Sequence, residues 1–307
     1  MLSEKEFEER LISFKAKIAK ISSNSLVSGR HPSKFLGTGD KMKDYGEYDP
    51  AIHEISDIDF VLSACEPDGK LWVKYFFDEE VRPTFIVIDT TESMYFGDKL
   101  DAALLAAWFL AASLVADGPV YLVDCRNLAA AVKKIPQTVL KKSIAELRKS
   151  YEKQVELISK EILGLKRDLK KEKNKTGGFN YSDLALFFKK KVRKSNLFVV
   201  SDFISNEDFS DIFQKLKSSG FSVFVVIVRD EEEENPRNLG ALNLRDPEKE
   251  SGRNFFGSLS KVKKFIGKKN SSCETDLLRS SAPFVRISCI DELLVKIRLL
   301  LKKAKKI

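Results

Sequence analysis

The sequence contains few residues of the kinds that build zinc or disulfide sites. Among its 307 residues there are only four cysteines and two histidines. The cysteines are scattered and lack the close spacing of a zinc knuckle or a redox motif, so they are expected to be reduced thiols. They are Cys65, Cys125, Cys273 and Cys289. His31 and His53 are too few for a His-rich zinc site and are predicted to have structural roles.

The sequence also has no long apolar run. The longest uncharged stretch, Ala102 to Ala116, is shorter than the roughly 18 residues that a membrane span needs. The opening segment, Met1 to Lys20, is charged and amphipathic and has no apolar core of the kind found in signal peptides. We therefore expect a cytoplasmic protein without a membrane span.

Positive charge exceeds negative charge, but the excess is concentrated in one segment. The formal net charge is +8. Thr138 to Lys175 alone has twelve basic and six acidic residues, a net +6 of that total. Such a local excess affects association and solubility without specifying a partner, so nucleic acid is not the expected ligand.

Apolar runs and amphipathic segments alternate from Val81 onward. Each apolar run is short and nearly continuous, as in strands that are buried on both faces. The runs are 84–89, 120–124, 197–202, 222–228 and 284–288, and helical patterns separate them at 98–116, 183–192, 208–218 and 291–303. This alternation predicts an α/β fold with a doubly wound, mostly parallel sheet. The helix at 98–116 is apolar all round and should be sandwiched between other elements.

The predicted domains are residues 1–80, an N-terminal helix and a small β-rich lobe, and residues 81–307, the α/β domain with two insertions. In the first, 138–175, apolar residues recur about every 3.6 residues, which predicts one long helix. A helix packed on its own domain is favoured, and a docking or dimerisation arm is the alternative. The second insertion is 230–283, where the acidic run Glu231 to Glu234 is predicted to be a solvated loop.

Oxygen-bearing side chains follow two of the predicted strands. Asp89, Thr91 and Ser93 alternate directly after the first strand, and Asp202 ends another strand. Ligands of doubly wound sheets bind beyond the carboxyl ends of the strands, where these residues would meet. Carboxylates and hydroxyls suit a hard divalent cation such as Mg²⁺ or Mn²⁺. These four residues are therefore the predicted metal ligands.

Asp89-x-Thr91-x-Ser93 resembles the Asp-x-Ser-x-Ser motif of the metal-ion-dependent adhesion site in von Willebrand factor A domains, and Asp202 resembles the distal aspartate of that site. The flanking sequence resembles one von Willebrand factor A-like family in particular, the domain of unknown function 58. The matching segments include Gly29-Arg30-His31-Pro32-Ser33, Gly37-Thr38-Gly39-Asp40, Tyr45-Gly46-Glu47-Tyr48-Asp49 and Ile58-Asp59-Phe60.

The sequence departs from the family pattern in the second metal loop. Relatives have Gly-Gly-Thr-Asn there, whereas this chain has Gly177-Gly178-Phe179-Asn180. The hydroxyl that would complete the site is thus missing at Phe179, and Asn180 or Ser182 are the candidate substitutes. At the first loop Thr91 replaces a serine and keeps its hydroxyl.

The resemblance implies a non-enzymatic adaptor that presents a divalent cation to an acidic side chain of a partner protein. Members of the family are typically encoded beside MoxR-type AAA+ ATPases, so the resemblance also implies cooperation with such an ATPase in assembling or maturing a client complex.

Two alternatives remain open at this point. One is a metal-free interaction module that binds partners through the basic helix. The other is a metal-dependent phosphohydrolase, but phosphatases with an aspartate at the end of the first strand need a second acid two residues later, where this chain has Thr91.

Overall fold

The computed structural model describes residues 2–22, 30–115, 118–125, 132–134, 144–171, 180–191, 194–204, 207–234, 242–244, 255–257 and 259–304. The chain divides into two compact units: residues 28–82, and Met1–Val27 together with Pro83–Ile307. The first helix, α1 (Glu4–Ser22), therefore belongs to the larger α/β unit. The predicted organisation grouped this helix with the lobe in residues 1–80, because sequence position alone does not show which surface an amphipathic helix covers.

The smaller unit is built on one long antiparallel pair. Strand β1 (Arg30–Glu47) pairs with β2 (Trp72–Val81), with irregular register in the middle of β1. The connection carries a short helix, α2 (Phe60–Cys65), whose first turn is capped by Asp59: one carboxylate oxygen accepts from the backbone N–H groups of Val61 and Leu62. His53 has a structural contact here, since its Nε2 lies 3.2 Å from the Tyr75 hydroxyl.

The α/β unit contains a six-stranded sheet, and the prediction of a doubly wound, mostly parallel sheet is confirmed. Its strands are β3 (Thr84–Ile88), β4 (Val120–Asp124), β5 (Val132–Lys134), β6 (Asn196–Ser201), β7 (Ser222–Val228) and β10 (Phe284–Ile287). Their order across the sheet is β10-β7-β6-β3-β4-β5, and every neighbouring pair is parallel except β4 and β5. A separate hairpin joins β8 (Leu242–Leu244) to β9 (Phe255–Gly257).

Helices cover both faces of this sheet. They are α3 (Lys99–Leu114), α4 (Ile144–Lys171), α5 (Tyr181–Lys191), α6 (Phe209–Ser218), α7 (Glu231–Glu234), α8 (Leu259–Arg279) and α9 (Leu293–Ala304). The core on one face joins α1, α3, α4 and α9, and the core on the other face joins α5, α6 and α8. Strand β3 shows why both faces are apolar, because Ile86 and Ile88 enter the first core while Phe85 and Val87 enter the second.

Two details of the predicted 230–283 insertion are corrected by the structure. The acidic run Glu231–Glu234 is one helical turn, α7, rather than a solvated loop, and Glu233 forms an ion pair with a buried lysine. Helix α8 occupies Leu259–Arg279 and contributes Cys273 and Leu277 to the second core. The segment was not predicted as a helix because its apolar content is low.

Helix α3 is buried along its whole length, as its apolar composition predicted. Helices α1 and α4 pack on the side of α3 that faces away from the sheet. The described part of α4 is therefore packed on its own domain: Val155, Ile158, Ile162 and Leu169 are all buried. None of the helices in the described ranges combines the length and the apolar character that a membrane-spanning helix requires.

Candidate metal centre

The candidate site lies where the sheet order changes direction. The connection that leaves β3 passes through α3 on one face of the sheet and leads to β4, whereas the connection that leaves the neighbouring β6 passes through α6 on the other face and leads to β7. A crevice opens at such a switch point beyond the carboxyl ends of the strands. Asp89 directly follows β3, and its backbone N–H donates to the carbonyl oxygen of Val200 in β6 at 2.9 Å. Asp202 follows β6, so both predicted carboxylates emerge at this point.

The three predicted ligands of the first loop converge. Asp89 Oδ1 accepts a hydrogen bond from the backbone N–H of Thr91 at 2.9 Å and one from its hydroxyl at 2.7 Å. Thr91 Oγ1 lies 3.1 Å from Ser93 Oγ. The following helical turn, Glu92–Tyr95, is anchored by the completely buried side chain of Met94, which fixes the position of Ser93.

A tyrosine supplies a further hydroxyl that the sequence analysis missed. Tyr181, the first residue of α5, donates its hydroxyl to Asp89 Oδ2 at 3.3 Å, and Ser201 Oγ donates to the same oxygen at 2.5 Å. The tyrosine and serine hydroxyls also contact each other. The ring of Tyr181 is held by Phe203 and Phe209, with centroids 5.3 and 5.0 Å away.

The two candidate substitutes for the missing threonine have another role in the structure. Asn180 Oδ1 accepts from the backbone N–H of Ser182 at 2.8 Å, which caps the start of α5. Both side chains are exposed, so it is Tyr181 between them that points toward Asp89. Phe179 lies outside the described residues. The only sequence signal for Tyr181 was its place directly after the second metal loop.

Asp202 is engaged by a buried lysine, which the sequence analysis also missed. Lys99 Nζ lies 2.9 Å from Asp202 Oδ2 and 3.0 Å from Glu233 Oε1. The side chains of Lys99 and Asp202 are 0% and 3% exposed. A charged residue is almost never fully buried without a partner. Lys99 begins a helix that the sequence predicts to be buried between other elements. Its charge could therefore have indicated a buried acidic partner.

The electrostatic environment of the site favours a positive charge near Asp89. Burial, and then the negative charge of Asp202, raise the pKa of the Asp89 carboxyl above its usual range. Burial and the same two carboxylates raise the pKa of Tyr181 well above its usual value, so its hydroxyl remains neutral. Within the part of the chain that the structure describes, no basic side chain forms an ion pair with Asp89. Asp89 is thus a buried carboxylate beside a second one, Asp202, and it is Asp202 that pairs with Lys99.

The donor set fits a small divalent cation that is bound through hydroxyls and two acids. Across the described ranges there is no group of three or more His, Cys, Asp or Glu side chains that could hold a metal, so the hydroxyls would be essential ligands. Adjacent ligands of an octahedral Mg²⁺, each about 2.1 Å from the ion, are about 3.0 Å apart. The separation of 3.1 Å between Thr91 Oγ1 and Ser93 Oγ matches this spacing.

Comparisons with solved structures found distant neighbours. BatB from Bacteroides thetaiotaomicron is 12% identical with a TM-score of 0.37, and the match covers 72% of this chain and 99% of that one. An aerotolerance-related membrane protein from Bacteroides fragilis is 13% identical with a TM-score of 0.39, over 72% and 99% of the two chains. Proximal thread matrix protein 1 from the mussel byssus, with a zinc-occupied MIDAS motif, is 11% identical with a TM-score of 0.35, over 73% and 48%.

A search of curated proteins found no match. The model of one protein family matches residues 44–268, which is more than half of the 307-residue chain. That range includes the candidate ligands Asp89, Thr91, Ser93 and Asp202 and the long helix α4. The chain therefore belongs to the family described as protein of unknown function DUF58.

Proposed function

We propose that this protein is a non-enzymatic adaptor that binds Mg²⁺ or Mn²⁺ at Asp89, Thr91, Ser93 and Asp202 and uses the bound cation to hold a carboxylate of a partner protein. The observation that carries the proposal is the convergence of Asp89, Thr91 and Ser93 at the switch point of the sheet, with the two hydroxyls 3.1 Å apart. Coordination of a partner's Asp or Glu would be the chemistry that the cation supplies.

The protein's own residues would prepare this contact. Ser201 and Tyr181 donate to one oxygen of Asp89 while Thr91 donates to the other, so the carboxylate is held in a fixed orientation. Such preorganisation reduces the cost of ordering the site when a partner binds. Ser93 is partly exposed, whereas Asp89 and Thr91 are buried, so the accessible side of the site is the side of Ser93.

The proposed partners are a MoxR-type AAA+ ATPase and a protein that offers an acidic side chain, in assembly or maturation of a client complex. Membership of the DUF58 family supports this part of the proposal. A contact through a metal is directional and depends on cation supply, which suits an association that an ATPase makes and breaks. The described part of α4 speaks against a docking arm, because Val155, Ile158, Ile162 and Leu169 of its apolar stripe are buried.

Calorimetric titration with Mg²⁺ and with Mn²⁺ tests the proposal, using protein first stripped with a chelator. We expect saturable binding to the wild type and none to Asp89→Ala. The matched control is Asp211→Ala, which removes a carboxylate that is 54% exposed and pairs with Lys215 on the surface of α6. This control should bind metal as the wild type does.

Each outcome of the titration is informative. Equal binding by the wild type and Asp89→Ala would place the cation elsewhere and overturn the proposed site. Absence of saturable binding to the wild type would overturn the metal dependence itself. In a subsequent partner-binding assay, the Asp89→Ala variant should fail to capture the ATPase. The Asp211→Ala variant should capture it as the wild type does.

A further inference from the structure

A lysine beside the candidate metal site lies between two carboxylates. Lys99 is the first residue of α3, and its Nζ is 2.9 Å from Asp202 Oδ2 and 3.0 Å from Glu233 Oε1. The lysine side chain is completely buried. Because a buried ammonium group is strongly attracted to nearby carboxylates and poorly solvated, Lys99 will remain bound to at least one of the two acids.

The two acids differ in what else they contact. Asp202 is 3% exposed, and its second oxygen, Oδ1, accepts from the backbone N–H of Ile204 at 3.3 Å. Glu233 is 24% exposed, and its second oxygen, Oε2, is buried and accepts no hydrogen bond from any residue that the structure describes. Glu233 therefore has one oxygen without a hydrogen-bond partner among the described residues, whereas each oxygen of Asp202 already has a partner.

A divalent cation and Lys99 would compete for the same carboxylate. Asp202 is the one predicted ligand that already pairs with a positive charge, and a cation bound to it would lie within a few ångströms of the ammonium group. Like charges at such distances repel strongly in a buried site. Lys99 would have to withdraw from Asp202, and Glu233 is the only other acid that its Nζ contacts among the described residues.

We propose that Lys99 is a built-in counter-ion of Asp202 that competes with the divalent cation, and that Glu233 accepts Lys99 when the cation binds. This inference rests on the proposed metal site. It assigns to Lys99 and Glu233 the control of metal affinity: the lysine weakens binding, and the glutamate makes binding possible by offering the lysine a second position.

Metal titrations of two variants, each of which removes one charge, test this inference. In Lys99→Met the competing charge is absent, so we expect Mg²⁺ and Mn²⁺ to bind at least about tenfold more tightly than to the wild type. In Glu233→Gln the lysine has lost its second position, so binding should weaken by about tenfold or more. Calorimetry measures both affinities.

Lys166→Met is the matched control. Lys166 of α4 is also a buried lysine, 2% exposed, and its ammonium group lies 2.6 Å from Asp101. Asp101 is in α3, the helix that begins with Lys99. Loss of Lys166 removes the same charge and leaves an equally buried carboxylate unpaired, but away from Asp202. We expect lower stability with unchanged metal affinity.

Thermal unfolding provides a second measurement, because Lys99→Met leaves Asp202 buried without its cation. The variant should unfold at a lower temperature than the wild type in chelator, and added Mg²⁺ should recover more of its stability than it adds to the wild type. If Lys99→Met does not fold even with metal, the partly exposed Glu233→Gln substitution still decides the question.

The possible results separate the inference from the proposed function. Wild-type affinity in Lys99→Met or in Glu233→Gln overturns the inference and leaves the metal site standing. Binding by Lys99→Met but not by the wild type supports the inference and shows that the lysine is the resident cation, which overturns metal dependence of the natural protein. Absence of binding in both overturns both.

Discussion

At the scale of single residues, Gly97 has the most demanding position beside the candidate site. Its φ is +54°, in the left-handed region that favours glycine. A Cβ at this position would lie 2.0 Å from Asp230 Oδ2. Asp230 in turn accepts from the backbone N–H of Glu232 at 2.9 Å, at the start of the turn that carries Glu233. A side chain at residue 97 would thus disturb both Asp230 and the helix start that presents Lys99.

Gly97→Ala is predicted to destabilise the α/β unit for two separable reasons. The left-handed backbone alone costs about 1–2 kcal/mol for a residue with a Cβ, and displacement of Asp230 adds about 1 kcal/mol from its lost hydrogen bonds. Urea unfolding of Gly97→Ala, Asp230→Ala and the double variant measures both parts.

The double variant provides the control for this prediction. Once Asp230 is truncated, the added Cβ has no carboxylate to displace, so Gly97→Ala should cost less in the Asp230→Ala background than in the wild type. Equal costs in the two backgrounds would show that backbone strain accounts for the whole effect.

At the scale of elements, the long helix α4 is an integral part of the fold. Ile158 is completely buried against the core that contains α3, whereas the adjacent Leu157 is 39% exposed. The two residues have the same size and lie one position apart on the same helix. They therefore separate the packed face of α4 from its outer face.

Ile158→Ala is predicted to lower the free energy of unfolding by about 2–5 kcal/mol, because it opens a cavity in the core. Leu157→Ala should cost under about 1 kcal/mol, since much of its side chain already contacts water. Chemical unfolding followed by circular dichroism measures both values. Similar small effects of the two substitutions would indicate that α4 is a detachable arm, as the alternative of a docking arm requires.

The elements that could be predicted from the sequence are those whose burial makes them apolar along their whole length. The five parallel strands lie within a residue or two of the predicted runs, because strands covered on both faces are apolar throughout. Helix α8 and the turn α7 were not predicted, because α8 has a low apolar content and α7 consists of four glutamates. The same distinction holds at the site: Asp89, Thr91 and Ser93 follow a local motif, whereas Tyr181, Lys99 and Glu233 reach it only through the tertiary fold.

At the scale of the whole molecule, the division of the chain into two units assigns the N-terminal helix to the α/β unit. Phe7, Leu11 and Phe14 of α1 are buried in the core that contains α3. Lys166 of α4 places its ammonium group 3.9 Å from the centre of the Phe7 ring. The ring of Phe14 lies 6.5 Å from that of Trp108 in α3. Helix α1 thus packs against both α3 and α4 in this core.

The two tryptophans allow this division to be tested, since Trp72 lies in the smaller unit and Trp108 in the α/β unit. In a Trp72→Phe background the fluorescence reports the surroundings of Trp108 alone. Phe7→Ala should then lower the stability reported by Trp108 by about 3–5 kcal/mol. Ile12→Ala, on the same helix but 64% exposed, should change it by less than about 0.5 kcal/mol. The sequence alone grouped α1 with the lobe in residues 1–80. If α1 belonged with residues 28–82, Phe7→Ala and Ile12→Ala would have the same small effect on the stability that Trp108 reports.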